Sequence, residues 1–189
     1  MKIRNIQHKM AKKTYRVLAL AYGINVKLVE GEPRKLIFLG LVGMIDPPRE
    51  EVKEAIKTCK DNGIKVIMIT GDHKLTAIEI AKRIGLISKK YVVLETKELD
   101  TMTDEEVREI VDKVNIYARA SAEHKYRIVK ARKEKGHKVA VTGDGVNDAI
   151  ALKTSHVGVA MGLKGSDVVK EVGDIVITDD NFATIVNAI

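Results

Sequence analysis

The sequence predicts an α/β fold, a parallel sheet flanked by helices that begins near residue 37 and runs almost to the end of the chain. Two observations carry that expectation. Short apolar runs alternate with longer stretches of helical spacing that each carry a charged face. Several of the runs are continuous rather than alternating, as in Val66-Ile67-Met68-Ile69, and continuous runs mark strands buried on both faces.

Taken in order, residues 11–22 read as a helix, followed by a polar stretch containing Gly31-Glu32-Pro33. This part reads as the tail of another unit, joined by a strand over 37–42 that enters the main domain near Asp46. The expected division is therefore 1–38 and 39–189. Pro47 and Pro48 precede a helix over 50–62 that stops at Asn62-Gly63. A strand over 65–70, a helix over 74–84 closed by Gly85, and a strand over 91–94 follow. Thr103 and Glu106 have capping-box spacing and open a helix over 103–112. The next helix, 122–135, is closed by Gly136. Strands over 138–142, 156–161 and 174–178 complete the pattern, with a helix over 146–152 between the first two.

Composition narrows the classes. The 189 residues leave room for one domain, or one domain and a small appendage. Hydrophobic residues at 45% exclude wholesale disorder. A net charge of +7 favours an anionic partner. With aromatics at only 4% there is no base-stacking stripe, so nucleic acid is not the expected partner. Cys59 is the only cysteine, which rules out an internal disulfide and reads as a small buried hydrophobe. No run approaches the roughly 18 apolar residues of a membrane span, so no membrane insertion by this chain is expected.

Chemistry concentrates where strands end, the edge at which open parallel sheets bind ligands. Thr70-Gly71-Asp72 follows an apolar strand and offers a hydroxyl, an accessible amide and a carboxylate. It reads equally as a phosphate cradle or as a turn in which Asp72 caps the next helix. In Val139 to Asp148, Asp144 and Asp148 stand at i and i+4 across a strand-to-helix junction, with Gly143 and Gly145 beside the first. That arrangement suits Mg2+, which takes one or two carboxylates and completes its shell with water and phosphate; the alternative is a Gly-rich turn with Asp148 inside a helix. Lys125 lies near a helix N-terminus, where a cation opposes the dipole; it either faces a bound anion or is a solvated lysine. His124 has no second metal ligand at the usual spacing and reads as a surface or packing residue. Asp46-Pro47-Pro48-Arg49 is either a stiffened hinge braced by an Asp46–Arg49 pair or a simple helix start.

Together these motifs resemble the P-type cation-transporting ATPases, in particular the type II, calcium-pump-like group. The resemblance rests on VAVTGDGVNDA at 139–149, IDPPR at 45–49 and VIMITGD at 66–72. It continues through Met161-Gly162, Gly165-Ser166-Asp167-Val168 and Thr178-Asp179-Asp180-Asn181-Phe182. It implies a haloacid-dehalogenase-like, Rossmann-like phosphorylation domain over 39–189, with 1–38 as the end of an inserted nucleotide-binding domain. It also implies Mg2+ and ATP as cofactors. Thr70 and Gly71 would hold phosphoryl oxygens, with Asp72 near the nucleotide. Lys125 would neutralise the transferring group, and Arg16, Arg119 and Asn147 would contact ATP or the phosphoryl group. Asp144 would ligate the metal, supported by Asp148.

Two departures bear on activity. The family's nucleophile lies in Asp-Lys-Thr-Gly-Thr, whereas the only Asp-Lys here is Asp112-Lys113, followed by Val114-Asn115. In the family that motif lies upstream of the nucleotide-binding domain. The resemblance therefore implies a sheet lacking the strand that carries the nucleophile, and a chain inactive alone. The expected partners are the nucleophile-bearing segment and the membrane domain of a pump, with this soluble portion at the cytoplasmic face. Ile150 also stands where many members have proline. The alternatives are a non-catalytic Mg2+- or nucleotide-binding module, or a haloacid-dehalogenase-like phosphatase completed by another chain.

Overall fold

The structure is a computed structural model that describes residues 2–12, 15–24, 28, 29, 32, 33, 35–44 and 47–187. It divides into two compact units at Pro47/Pro48.

The first unit holds α1 (Lys2–Lys12), β1 (Arg16–Tyr22), β2 (Leu28–Val29), β3 (Glu32–Pro33) and β4 (Ile37–Met44). β1 and β4 pair antiparallel from Arg16↔Met44 to Tyr22↔Ile37, with a register shift between Leu20 and Ala21. The expectation of a helix over 11–22 is thus overturned for 16–22. Val, Leu and Tyr in Arg16–Tyr22 accept either conformation, and a long apolar partner in β4 satisfies the strand's backbone groups. The same pairing moves the division later than 38, because β4 belongs with β1 rather than with the main sheet. Asp46 lies outside the described residues, so its pairing with Arg49 is not described.

The second unit alternates as expected, and the α/β expectation is borne out. It begins with α2 (Glu51–Asp61), β5 (Met68–Thr70), α3 (Lys74–Arg83), β6 (Val93–Glu95), α4 (Thr96–Leu99) and α5 (Asp104–Ile110). Next come β7 (Ile116–Ala118), α6 (Ala122–Glu134), β8 (Ala140–Gly143), a 3-10 turn (Val146–Asp148) and α7 (Ala149–Thr154). β9 (Val157–Met161), α8 (Asp167–Val172), β10 (Ile175–Ile177) and α9 (Phe182–Asn187) complete it. Thr103 and Glu106 form the expected capping box. Gly63, Gly85 and Gly136 close their helices at positive φ, where a Cβ is strained.

The strands form two parallel sheets, each three-stranded, in the orders β5-β7-β6 and β10-β9-β8. One face of the first packs Ile116 and Ala118 against Ile56 of α2 and Ala77 and Ala81 of α3. The other packs Tyr117 against Leu99, Val107 and Ile128 from α4, α5 and α6. In the second sheet Ala160 packs against Leu152 of α7 and Val169 of α8. The middle strand of the first sheet, β7, had not been anticipated. β5 and β8 are each terminal in their sheet. Neither is buried on both faces: β5 is half-buried throughout, and Ala140 and Thr142 of β8 are exposed. Continuous apolar composition alone did not distinguish these edge strands from covered ones. Among the described residues no helix is long and apolar enough to cross a membrane.

Candidate functional site

The C-terminal ends of β5 and β8 open on one cavity of about 450 Å3. β5 contributes Ile69, Thr70 and Gly71, and β8 contributes Thr142, Gly143 and Asp144. Lys125 from α6 and Asp148 from the 3-10 turn line it as well.

At the β5 end the Thr70 hydroxyl accepts from the Asp72 amide at 3.1 Å, so its own proton remains available to a ligand. The main chain is pinned from β7, because Ala120 N–H donates to the Thr70 carbonyl at 2.9 Å. Arg119 N–H donates to the Asp72 carbonyl at 3.0 Å. A Cβ on Gly71 would meet nothing closer than the Ala120 oxygen at 3.9 Å, so the space above this amide is open.

At the β8 end Asp148 is the organising group. Its Oδ1 accepts from Lys125 Nζ at 2.5 Å, and both side chains are largely buried. Its Oδ2 accepts from the Asp144 and Gly145 amides, each at 3.3 Å. A Cβ on Gly143 would run into Asp148 and Leu152, so that glycine seats Asp148 rather than clearing room for a ligand. Asp144 is exposed at the cavity, and among the described residues its carboxylate takes part in no hydrogen bond or ion pair. Of the two carboxylates read as a metal pair, one is occupied by the protein and one is available. A single carboxylate beside room for phosphate oxygens fits Mg2+, and among the described residues no group of three or more metal-ligating side chains gathers anywhere.

Lys125 is positioned by the start of α6. Ser121 caps that helix, and its backbone amide donates to His124 Nδ1 at 3.0 Å. His124 Nε2 lies 2.7 Å from Asp100 Oδ1. His124 is therefore a packing residue that ties the helix start to the Asp100 turn.

The cavity gathers Thr70, Gly71, Lys125, Asp144 and Asp148. Asp72, Arg119 and Asn147 are exposed and do not line it. Arg119 is instead used for its backbone, at a φ of 63° where β7 ends. Arg16 stands at the first position of β1 in the other unit. The cavity also receives residues to which no site role had been given: Arg49, Met161, Lys164 and Asp180. The Asp180 carboxylate accepts from the Leu163 and Lys164 amides at 2.9 and 2.7 Å. Desolvation pushes that carboxyl up, but these amides, with Gly162 N–H and the Arg49 charge, hold it below the usual carboxylate range. Lys164 could have been found by its place just after a strand, between Gly162 and Gly165.

Residues 5–156 match the family described as haloacid dehalogenase-like hydrolase. The chain belongs to that family. Two of its relatives are calcium-transporting ATPases by name. It is 50% identical over 184 residues to calcium-transporting ATPase 1 of Bacillus cereus, covering 95% of this chain and 21% of that protein. It is 48% identical over 181 residues to calcium-transporting ATPase type 2C member 1 of Homo sapiens, covering 96% of this chain and 19% of that protein. The chain thus spans about a fifth of the length of these relatives. A crystal structure of a zinc-transporting PIB-type ATPase in the E2.Pi state superposes with a TM-score of 0.68 at 21% identity. That match covers 98% of this chain and 24% of the ATPase, and it shows a shared fold. The resemblance to calcium-pump-like ATPases is borne out.

Proposed function

We propose that this chain is the phosphoryl-handling part of an ATP-driven cation pump, working at the cytoplasmic face of a membrane. In this reading the second unit, from Pro48, would be the phosphorylation domain, and the first unit, with β1 and β4, the end of a nucleotide-binding domain. The observation that carries the proposal is the convergence of Thr70, Gly71, Lys125 and Asp144 on one cavity where β5 and β8, each terminal in its sheet, come to their ends. Phosphoryl transfer needs oriented donors, a cation and a metal ligand more than it needs covalent chemistry from most residues. Thr70 and Gly71 would donate to phosphoryl oxygens. Lys125, held by Asp148, would offset their charge without searching rotamers. Asp144 would hold Mg2+, which when bound neutralises developing charge on the phosphate oxygens. Asp72, Arg119 and Asn147 would serve the nucleotide only after a rearrangement that brings them to the cavity, and Arg16 would serve it from the first unit.

The 189 residues contain no Asp-Lys-Thr-Gly-Thr. Among the described residues β5 and β8 each leave an edge of backbone donors and acceptors open. We therefore place the acceptor aspartate on a further strand seated between them, and expect no turnover from these residues alone. The same absence favours, for the isolated chain, a module that binds Mg2+ and nucleotide without hydrolysing it. The test is labelling with radiolabelled ATP. The 189-residue chain should form no acid-stable phosphoenzyme, and adding a segment that bears Asp-Lys-Thr-Gly-Thr should restore one on that segment. Label on the 189-residue chain alone would sink the assignment. In parallel, Mg2+ should shift the amide resonances of Gly143 to Asn147 in the parent but not in Asp144→Ala, and shifts that persist in the variant would remove Asp144 as the ligand.

A further inference from the structure

The parallel strands give the second unit two unlike ends. At the amino ends, Lys65 precedes β5, Lys90 precedes β6, Lys113 precedes β7, Lys138 precedes β8 and His156 precedes β9, and all five are exposed. β10 is preceded by Asp174 instead, whose carboxylate accepts from Gly158 N–H at 2.7 Å. The carboxyl ends are mixed: Asp72, Glu95, Asp144 and Asp180 stand there beside Arg119 and Lys164. Positive charge is thus gathered at the end of the strands opposite the cavity.

The amino ends of the two sheets also meet. Asp112, just ahead of β7, holds Lys135 at 2.6 Å and His137 at 2.7 Å, and both of these lead into β8. The Lys65 ammonium donates to the Asp112 carbonyl, and Arg132 Nη1 lies 3.8 Å from the Asp112 carboxylate. That one carboxylate therefore stands among several basic side chains, while Asp61 at the end of α2 is taken by Lys57 at 2.8 Å. Lys89, Lys90, Lys113 and Lys138 have no carboxylate partner among the described residues. Burial and the Arg132 charge pull the Lys65 pKa below its ordinary value against the pull of Asp112. Burial and the charges of Lys133 and Lys138 do the same to His156. Neighbouring strands lie about 5 Å apart, within the roughly 10 Å over which salt at about 0.1 M screens a charge, so these cations add into one field.

We infer that the amino end of the two sheets is a docking surface for an anionic lipid membrane, touched by the lysines ahead of the strands while the cavity stays at the far end. The cations are carried one or two to a strand and spread across neighbouring strands, an arrangement that meets many anions in a plane rather than enclosing one. Lysine suits that partner, because a compact hydrated ammonium on a flexible stem follows headgroups without a fixed geometry. A nucleic-acid duplex is read by a helix or ribbon that enters a groove, whereas this surface is made of strand starts and the turns before them. Attraction to an anionic leaflet accumulates over such lysines and falls off within the screening length, so it requires no apolar insertion. The inference stands on the charge of this end and not on the phosphoryl reading of the cavity.

The experiment sediments the 189-residue chain with vesicles of phosphatidylcholine alone and with vesicles in which about a third of the lipid is phosphatidylserine, at about 0.1 M and about 0.5 M salt. The chain should bind the mixed vesicles at the lower salt, lose most of that binding at the higher salt, and leave pure phosphatidylcholine unbound. Lys113→Gln combined with Lys138→Gln should weaken the binding by roughly tenfold. Lys74→Gln combined with Lys97→Gln removes the same charge beyond the carboxyl ends of β5 and β6, and should change it by less than about twofold. Equal losses in the two double variants would mean that binding follows net charge alone, and would overturn the docking surface. A parent chain that binds neither vesicle, or both alike, overturns it too. Duplex DNA is the competing polyanion: DNA binding that falls in the Lys113 and Lys138 double variant, with vesicle binding unchanged, assigns this end to nucleic acid and overturns the lipid. A chain that fails with vesicles yet keeps its Mg2+ response at Gly143 to Asn147 loses only this inference, and the phosphoryl reading stands.

Discussion

β7 and β8 are both short parallel strands of the same unit, and they are held in different ways. All three residues of β7 are buried, between β5 and β6 and beneath helices on both faces. β8 has a neighbour only in β9, exposes Ala140 and Thr142, and ends in the Asp148 network. No residue of the covered strand lines the cavity, whereas Thr142 and Gly143 of the edge strand do. Apolar burial builds the frame, and the chemistry sits where burial stops and polar groups must satisfy one another.

If that contrast holds, the largest loss of stability near the site should come from a polar deletion. Asp148→Ala leaves the Lys125 ammonium and the Asp144 and Gly145 amides without their partner. We expect a cost of about 3–5 kcal/mol by denaturant unfolding, since the uncompensated charge is largely buried. A cost below about 1 kcal/mol would mean that the β8 end does not depend on this network.

Next in size are paired core truncations. Ile116→Ala in β7 should cost about 2–5 kcal/mol, because Ile116 is fully buried and its loss leaves a cavity. Ile69→Ala in β5 should cost well under half as much, because Ile69 lines the open cavity. Equal costs would break the distinction between covered and edge strands.

The smallest effect is a pH dependence inside the covered strand. Burial pushes the Tyr117 phenol from its ordinary value of 10.0 up to about 12, and its hydroxyl has no hydrogen-bond partner among the described residues. The folded state therefore holds the proton where the unfolded chain releases it. This stability is fully present below about pH 10 and is lost as pH rises towards 12, a change of about 2–3 kcal/mol. Tyr117→Phe should be near neutral at pH 7 and should flatten that alkaline loss, read from unfolding midpoints at pH 7 and pH 11. An unchanged alkaline loss in the variant would place its origin elsewhere.

Much of this was determined by the sequence itself. Apolar runs ending in Thr70-Gly71-Asp72 and in Thr142-Gly143-Asp144 sit at strand ends because composition and glycine placement are local properties, and a parallel sheet puts such ends on one edge. The capping box of Thr103 and Glu106, and the glycines that close three helices, were legible for the same reason. Tertiary structure decided the rest. Ile116–Ala118 is a strand because β5 and β6 pair with it, and no run that short is diagnostic alone. Residues 16–22 became a strand because β4, far along the chain, offered its backbone. Asp148 gained its Lys125 partner when folding brought the two within 2.5 Å, and Lys164 entered the cavity when Asp180 gathered its loop. Each of these outcomes depends on a partner distant in sequence, and residue periodicity carries no information about which distant partner arrives.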